Sequence, residues 1–181
     1  MALAAGRSVG RKDRAVQTRG LCARVGRVCA AFAAIWLSVT PAWALSCAPW
    51  DHLDAWAQAS ESDRLYLVAR GTLLFDERDL PQVDWDDQAA TPPLTRVKAY
   101  FSGDQLGRNG FQRPFEGEVT LEVACYGPWC ARVPAGAEIV AFIEMRDGAL
   151  VLETNPCGGF ALPTSPEVER DLQRCMQGNC P

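Results

Sequence analysis

The stretch EIVAFIEMRDGALVLET, residues 138–154, decides the fold class. Residues 138–145 and 149–154 are two runs rich in Val, Ile and Leu, separated by Arg146-Asp147-Gly148. Asp-Gly accepts the positive backbone angles of a tight turn, so the segment reads as a β-hairpin. Upstream, residues 118–125 alternate, with Val119, Leu121 and Val123 opposed by Thr120 and Glu122. Residues 94–102 do the same: Val97, Ala99 and Phe101 face one way, Arg96, Lys98 and Tyr100 the other. Residues 64–75, RLYLVARGTLLF, read as a long strand in which Gly71 marks a bulge or a bend. Residues 76–93 form a long acidic loop with three prolines, and residues 103–113, containing Asn109-Gly110, read as a second loop. Leu53, Trp56 and Ala57 place a short helix over residues 51–60. Ser165-Pro166-Glu167 starts another that runs to about Met176 and stops at Gly178. The expected architecture is mainly β, a small closed or partly closed barrel of five strands with a helix at each end, because a sandwich usually needs about seven strands.

The N-terminal 44 residues read as a signal peptide and residues 45–181 as one domain. Seven basic residues (Arg7, Arg11, Lys12, Arg14, Arg19, Arg24, Arg27) precede the apolar run VCAAFAAIWLSV, residues 28–39. Ala42 and Ala44 then supply the small side chains that signal peptidase requires. Twelve apolar residues are too few for the roughly 20 of a membrane-spanning helix. Cleavage after Ala44 leaves six cysteines, Cys47, Cys125, Cys130, Cys157, Cys175 and Cys180. An even number in an exported domain reads as three disulfides. Lipidation of Cys47 is the minor alternative; it leaves an odd count and lacks the usual Leu three residues before the cysteine. Sixteen Arg against two Lys, with abundant Ala, point to a GC-rich bacterial genome and so to the periplasm or the extracellular space.

Ser46-Cys47 followed by SDRLYLVARGTL (residues 62–73), together with AGAEIVAFIEMRDGALVLETNPCGGF (residues 135–160) and the terminal QRCMQGNC, resembles the netrin-like module. That module is the OB-type barrel of tissue inhibitors of metalloproteinases. The resemblance spans most of residues 46–180, apart from residues 76–113. It implies an OB-type barrel and, by position, a long bridge from Cys47 to Cys157. Cys125 with Cys130 and Cys175 with Cys180 are spaced to close locally, although six cysteines allow fifteen connectivities. Those inhibitors chelate a protease zinc through an N-terminal cysteine and its free amine. Cleavage after Ala44 leaves Leu45 and Ser46 ahead of Cys47 and removes that amine, which only a minor alternative cut after Ser46 would restore, so the resemblance implies the fold more than metalloproteinase inhibition.

Charge narrows the function. The whole chain is at −4, but residues 45–181 hold 11 basic and 21 acidic groups, a net −10. Nucleic-acid binding needs clustered Lys and Arg, so it is excluded. A single histidine, His52, leaves no Ser-His-Asp triad and no zinc set, and it reads as a solvent-exposed helix residue. Asp76, Glu77, Asp79, Asp84, Asp86 and Asp87 lack the spacing and glycine of a calcium loop. Cys125-Tyr-Gly-Pro-Trp-Cys130 has four intervening residues, where redox dithiols have two and a helix start. No metal or cofactor motif is present. The candidate binding surface is Trp85, Arg96, Lys98, Tyr100, Arg108 and Phe111, near Arg113, with the basic residues expected to pair with the acidic loop. The expected function is that of a non-catalytic exported binding module, protein-binding or inhibitory, whose partner is an envelope protein or a small ligand. The alternatives are a thiol–disulfide protein using Cys125 and Cys130, and a structural envelope protein.

Overall fold

A computed structural model describes residues 45–181. The expected signal peptide and its cleavage motif, within residues 1–44, lie outside the described residues. The described residues are mainly β, with eight strands, two helices and three disulfides among them. Helix α1 is His52–Glu61, and β1 is Tyr66–Phe75. After two single 3-10 turns in the acidic loop come β2, Leu94–Gly107, and β3, Gly110–Tyr126. Then follow β4, Trp129–Cys130; β5, Glu138–Arg146; β6, Ala149–Asn155; β7, Gly158–Gly159; β8, Ala161–Pro163; and α2, Pro166–Met176.

The five long strands pair in a circuit. β1 pairs antiparallel with β2 and with β5, β2 with β3, and β5 with β6. A parallel pairing of β3 with β6 then returns the path to its start. The 138–154 hairpin forms as its sequence requires: Asp147 has φ 51° and Gly148 φ 81°. Inward positions of the strands meet in the core, where Leu73, Phe101, Leu121, Ala141, Ile143 and Leu152 are fully buried. Asp51 caps α1 in a reciprocal capping box with Asp54, and the Ser165 hydroxyl caps α2 by accepting from the Val168 amide.

Three features depart from expectation. Residues 103–113 are a continued β2–β3 hairpin rather than a loop, with one register shift between Gln105 and Leu106. Gly103 and Asp104 look like turn residues, but cross-strand pairing and burial of Leu106 and Phe111 override that local preference, and the turn is confined to Arg108 and Asn109. Three strands of two or three residues, β4, β7 and β8, add to the expected five. Gly71 is neither a bulge nor a bend. It lies opposite Gly103 in an unbroken register, and a Cβ on Gly71 would stand 2.3 Å from the Ser102 carbonyl oxygen. Glycine there lets two backbones approach closely.

Cys47 is bonded to Cys157, Cys125 to Cys130 and Cys175 to Cys180. The first bridge ties the N-terminal segment to the turn after β6 and closes a separation of 110 residues, worth about 3–5 kcal/mol through the unfolded chain. Trp50 reinforces it. Its indole Nε1 donates to the Gly159 carbonyl at 2.9 Å, and its ring occupies the space where a Gly158 Cβ would stand, 2.5 Å from Trp50 Cγ.

Replacing Gly71 by Ala is expected to cost about 3 kcal/mol, since backbone and not a flexible side chain must yield. Urea unfolding at pH 7 checks this; a loss within about 0.5 kcal/mol would contradict the close approach.

Candidate functional site

Residues directly opposite one another in a ladder project from the same face. The register therefore lays out the outer face of β2 and β3 row by row. Leu94 stands opposite Ala124, Arg96 opposite Glu122, Lys98 opposite Thr120 and Tyr100 opposite Glu118. β1 adds Leu74 beside Tyr100, and β6 adds Glu153 beside Glu122. At one end Leu74, Lys98, Tyr100, Glu118 and Thr120, with the Gly148–Leu150 side of the hairpin, line an open groove of about 610 Å³. Leu74 and Tyr100 are 52% and 41% exposed, unusual for large apolar side chains side by side. Partial desolvation, helped by neighbouring Glu116, raises the Tyr100 hydroxyl above its ordinary pKa.

The middle of the face is an ion network. Arg96 Nε donates to Glu122 Oε1 at 2.8 Å, and Arg146 Nη1 donates to Glu122 Oε2 at 3.2 Å. Arg146 Nη2 donates to Glu144 Oε2 at 2.6 Å and also contacts Glu153. Arg64 Nη1 bridges Glu144 and Glu153 at 3.2 and 3.0 Å. Glu122 and Glu144 are buried, while the guanidinium groups of Arg64 and Arg96 reach solvent. Carboxylates below thus fix arginines above. The Arg146 hydrogen bonds hold the Glu144 carboxyl below the usual carboxylate range, against the opposing effect of burial.

At the far end β3 turns sharply into β4. Tyr126 lies opposite Trp129, and Cys125 opposite Cys130, to which it is bonded. Tyr126 and Trp129 are 47% and 40% exposed. Tyr126 is two residues beyond Ala124 and so continues the outer face, past Leu94.

Of the six expected surface residues, the structure brings Arg96, Lys98 and Tyr100 together on one face. Trp85 is exposed in the acidic loop. Arg108 occupies the β2–β3 turn, where its carbonyl accepts from Gln177 Nε2 at 2.8 Å. Phe111 is a core residue, 9% exposed, with the Arg70 guanidinium 5.7 Å above its ring. Arg96 pairs with Glu122 and not with the acidic loop, whose Asp76 is engaged by Arg78 two residues away. Strand register supplies the partner that sequence proximity suggested wrongly. His52 is likewise not an exposed helix residue: its side chain is 15% exposed and its Nε2 lies 3.1 Å from Asp171 Oδ2 on α2. Sequence reading missed Tyr126, Trp129, Leu74 and the hairpin wall of the groove. The alternation through Ala124 and Tyr126 was the available signal for the first. Among the described residues no group of three or more His, Cys, Asp or Glu is placed to hold a metal.

No protein-family model matches the chain, and no curated protein or solved structure matches it. The functional reading therefore stands on the residues themselves.

Glu144 titrates lower in the folded chain than its ordinary 4.5. Its contribution to stability is therefore complete above that value and is lost as pH falls through the folded pKa. Urea midpoints should drop as pH is lowered from about 5 to 3. Glu144→Gln should flatten this dependence and cost about 2 kcal/mol at pH 7 by leaving Arg146 and Arg64 with fewer acceptors. An unchanged acid limb in the variant would contradict the assignment.

Proposed function

We propose that this chain is an exported, disulfide-clamped OB-type barrel of the netrin-like kind, which acts by binding a partner on the outer face of β2 and β3 without catalysing a reaction. The pairing circuit β1–β2–β3–β6–β5, with its single parallel contact, supports the barrel reading. In OB-type barrels the face of the second and third strands, flanked by two loops, is where ligands sit. Here the corresponding loops are the long acidic loop between β1 and β2 and the Asp147-Gly148 turn between β5 and β6. The observation that carries the reading is the exposed row of Lys98, Tyr100 and Leu74 in an open groove. Export is supported by the N-terminal sequence and by three disulfides, which persist in oxidising compartments. No described helix is long and apolar enough to cross a membrane.

Two observations weigh against a thiol–disulfide protein. Cys125 is 5% exposed within a strand, and no helix begins at either Cys125 or Cys130, so nothing there favours a reactive thiolate. A structural envelope protein without a ligand is separated from a binder by capture. The exported chain with its disulfides intact is immobilised, and envelope extract is passed over it. A Lys98→Gln, Tyr100→Ala double variant should lose the species the parent retains while its unfolding free energy stays within about 0.5 kcal/mol. Equal retention by both, or retention of nothing, would contradict the proposal.

A further inference from the structure

We infer a second binding site, away from the outer face proposed above: a cavity at the far end of β2 that takes one apolar side chain from an extended, basic segment of a partner protein. The site originates where the sheet divides. The ladder of β1 with β2 ends at Ala69 opposite Gln105, the residue just before the register shift of β2 on β3. β1 continues without β2 through Val68, Leu67 and Tyr66, paired there only with β5. Bulges commonly end a pairing beside a site in this way. Between the separated strands lies a cavity of about 150 Å³, walled by Trp56 of α1, Tyr66, Leu106, Phe142 and Met176 of α2. An apolar cavity of that size holds a benzene-sized group, the bulk of a phenylalanine ring or a leucine side chain.

Backbone groups face the same space. The carbonyl of Leu65, just ahead of β1, accepts from the Met145 amide, so odd-numbered residues of this strand turn their peptide groups towards β5 and even-numbered ones towards β2. With β2 gone, the N–H of Val68 and the N–H and C=O of Tyr66 have no backbone partner among the described residues. The Gln105 side chain, which also lines the cavity, makes no hydrogen bond among the described residues. An extended segment laid along Tyr66–Val68 adds a short strand to this edge and sends one side chain into the cavity, the mode in which open sheet edges take peptides.

Charge sets the sign of that segment. Ser60, in the last turn of α1, lines the cavity, and that turn contains no basic residue. Its final carbonyls are the negative end of the helix dipole, which favours a cation. Glu61 and Asp63 stand at the same end and form no ion pair among the described residues, on a domain at −10. A Lys or Arg beside the apolar anchor meets both. A free apolar molecule would fill the cavity but leave the strand edge and the carboxylates unused. Met176, unbranched and adaptable, lets the cavity accept either a phenylalanine or a leucine anchor.

The test uses the exported chain with disulfides intact, in NMR titrations with end-blocked pentapeptides. The first is Lys-Thr-Phe-Thr-Lys; a second carries alanine for the phenylalanine, a third glutamate for both lysines, and benzene is the last probe. The phenylalanine peptide is expected to shift the Trp56 indole and Met176 methyl resonances saturably and to slow exchange of the Val68 amide. The alanine peptide should bind at least about tenfold more weakly, and the glutamate peptide about threefold more weakly. Ala59→Phe, which sets a ring into the cavity from α1, should abolish the shifts while its urea midpoint shows that it folds; should it not fold, the peptide series on the parent chain decides. Arg170→Gln on α2 should change nothing. Equal binding of the alanine or the glutamate peptide, shifts confined to other surfaces, or binding of benzene at Trp56 without binding of the phenylalanine peptide would overturn the inference.

Discussion

Four residue pairs, Thr120 to Val123 of β3 against Val151 to Thr154 of β6, close the circuit of strands. This contact is the only parallel one among the described long-strand pairings, and it joins segments about thirty residues apart in sequence. Its consequences reach the whole outer face. It sets Glu153 beside Glu122, so that Arg146 can span both, and it brings the hairpin end at Gly148 alongside β3 as a wall of the groove. The buried Thr154 hydroxyl donates to the Glu122 carbonyl at 2.8 Å, a side-chain bond across the junction itself. Parallel pairing is slightly weaker per residue than antiparallel pairing, and the ion network and this hydroxyl support that four-pair join.

The ion network has a cost and a use. Burying Glu122 and Glu144 is unfavourable unless their oxygens are fully paired, and three arginines supply that pairing. What results is a set of guanidinium groups whose positions are fixed by the strands. Elsewhere the domain is stapled by other means. The N-terminal segment is held by Cys47–Cys157 and by Trp50 over Gly158, and α1 is joined to α2 through His52 and Asp171, whose carboxyl is kept low by Arg174 first and His52 second.

Local chemistry was legible in the sequence, and long-range register was not. The Asp147-Gly148 turn, the Ser165 cap and the alternation of residues 94–102 follow from turn geometry, capping and the two-residue period of a strand. The same alternation placed Arg96, Lys98 and Tyr100 on one face. It could not name Glu122 as the partner of Arg96, because that depends on which residue of β3 the register sets opposite. Residues 103–113 misled for a related reason: Gly103 and Asp104 announce turns, while the pairing that keeps them extended comes from β3 and leaves only Arg108 and Asn109 to turn. Gly71 is intelligible only once Gly103 is known to face it. Phe111 and His52 show the converse error, side chains assigned to solvent that tertiary packing removes from it.

The closed circuit is the claim on which the groove, the network and the proposed binding face depend, and hydrogen exchange with NOE spectroscopy on the disulfide-intact chain tests it directly. The account predicts slow amide exchange at the hydrogen-bonded positions of residues 120–123 and 151–154, together with cross-strand NOEs in a parallel pattern placing Leu121 beside Leu152. Fast exchange along both segments without those NOEs, while β1 and β2 remain protected, would mean an open sheet and would contradict it.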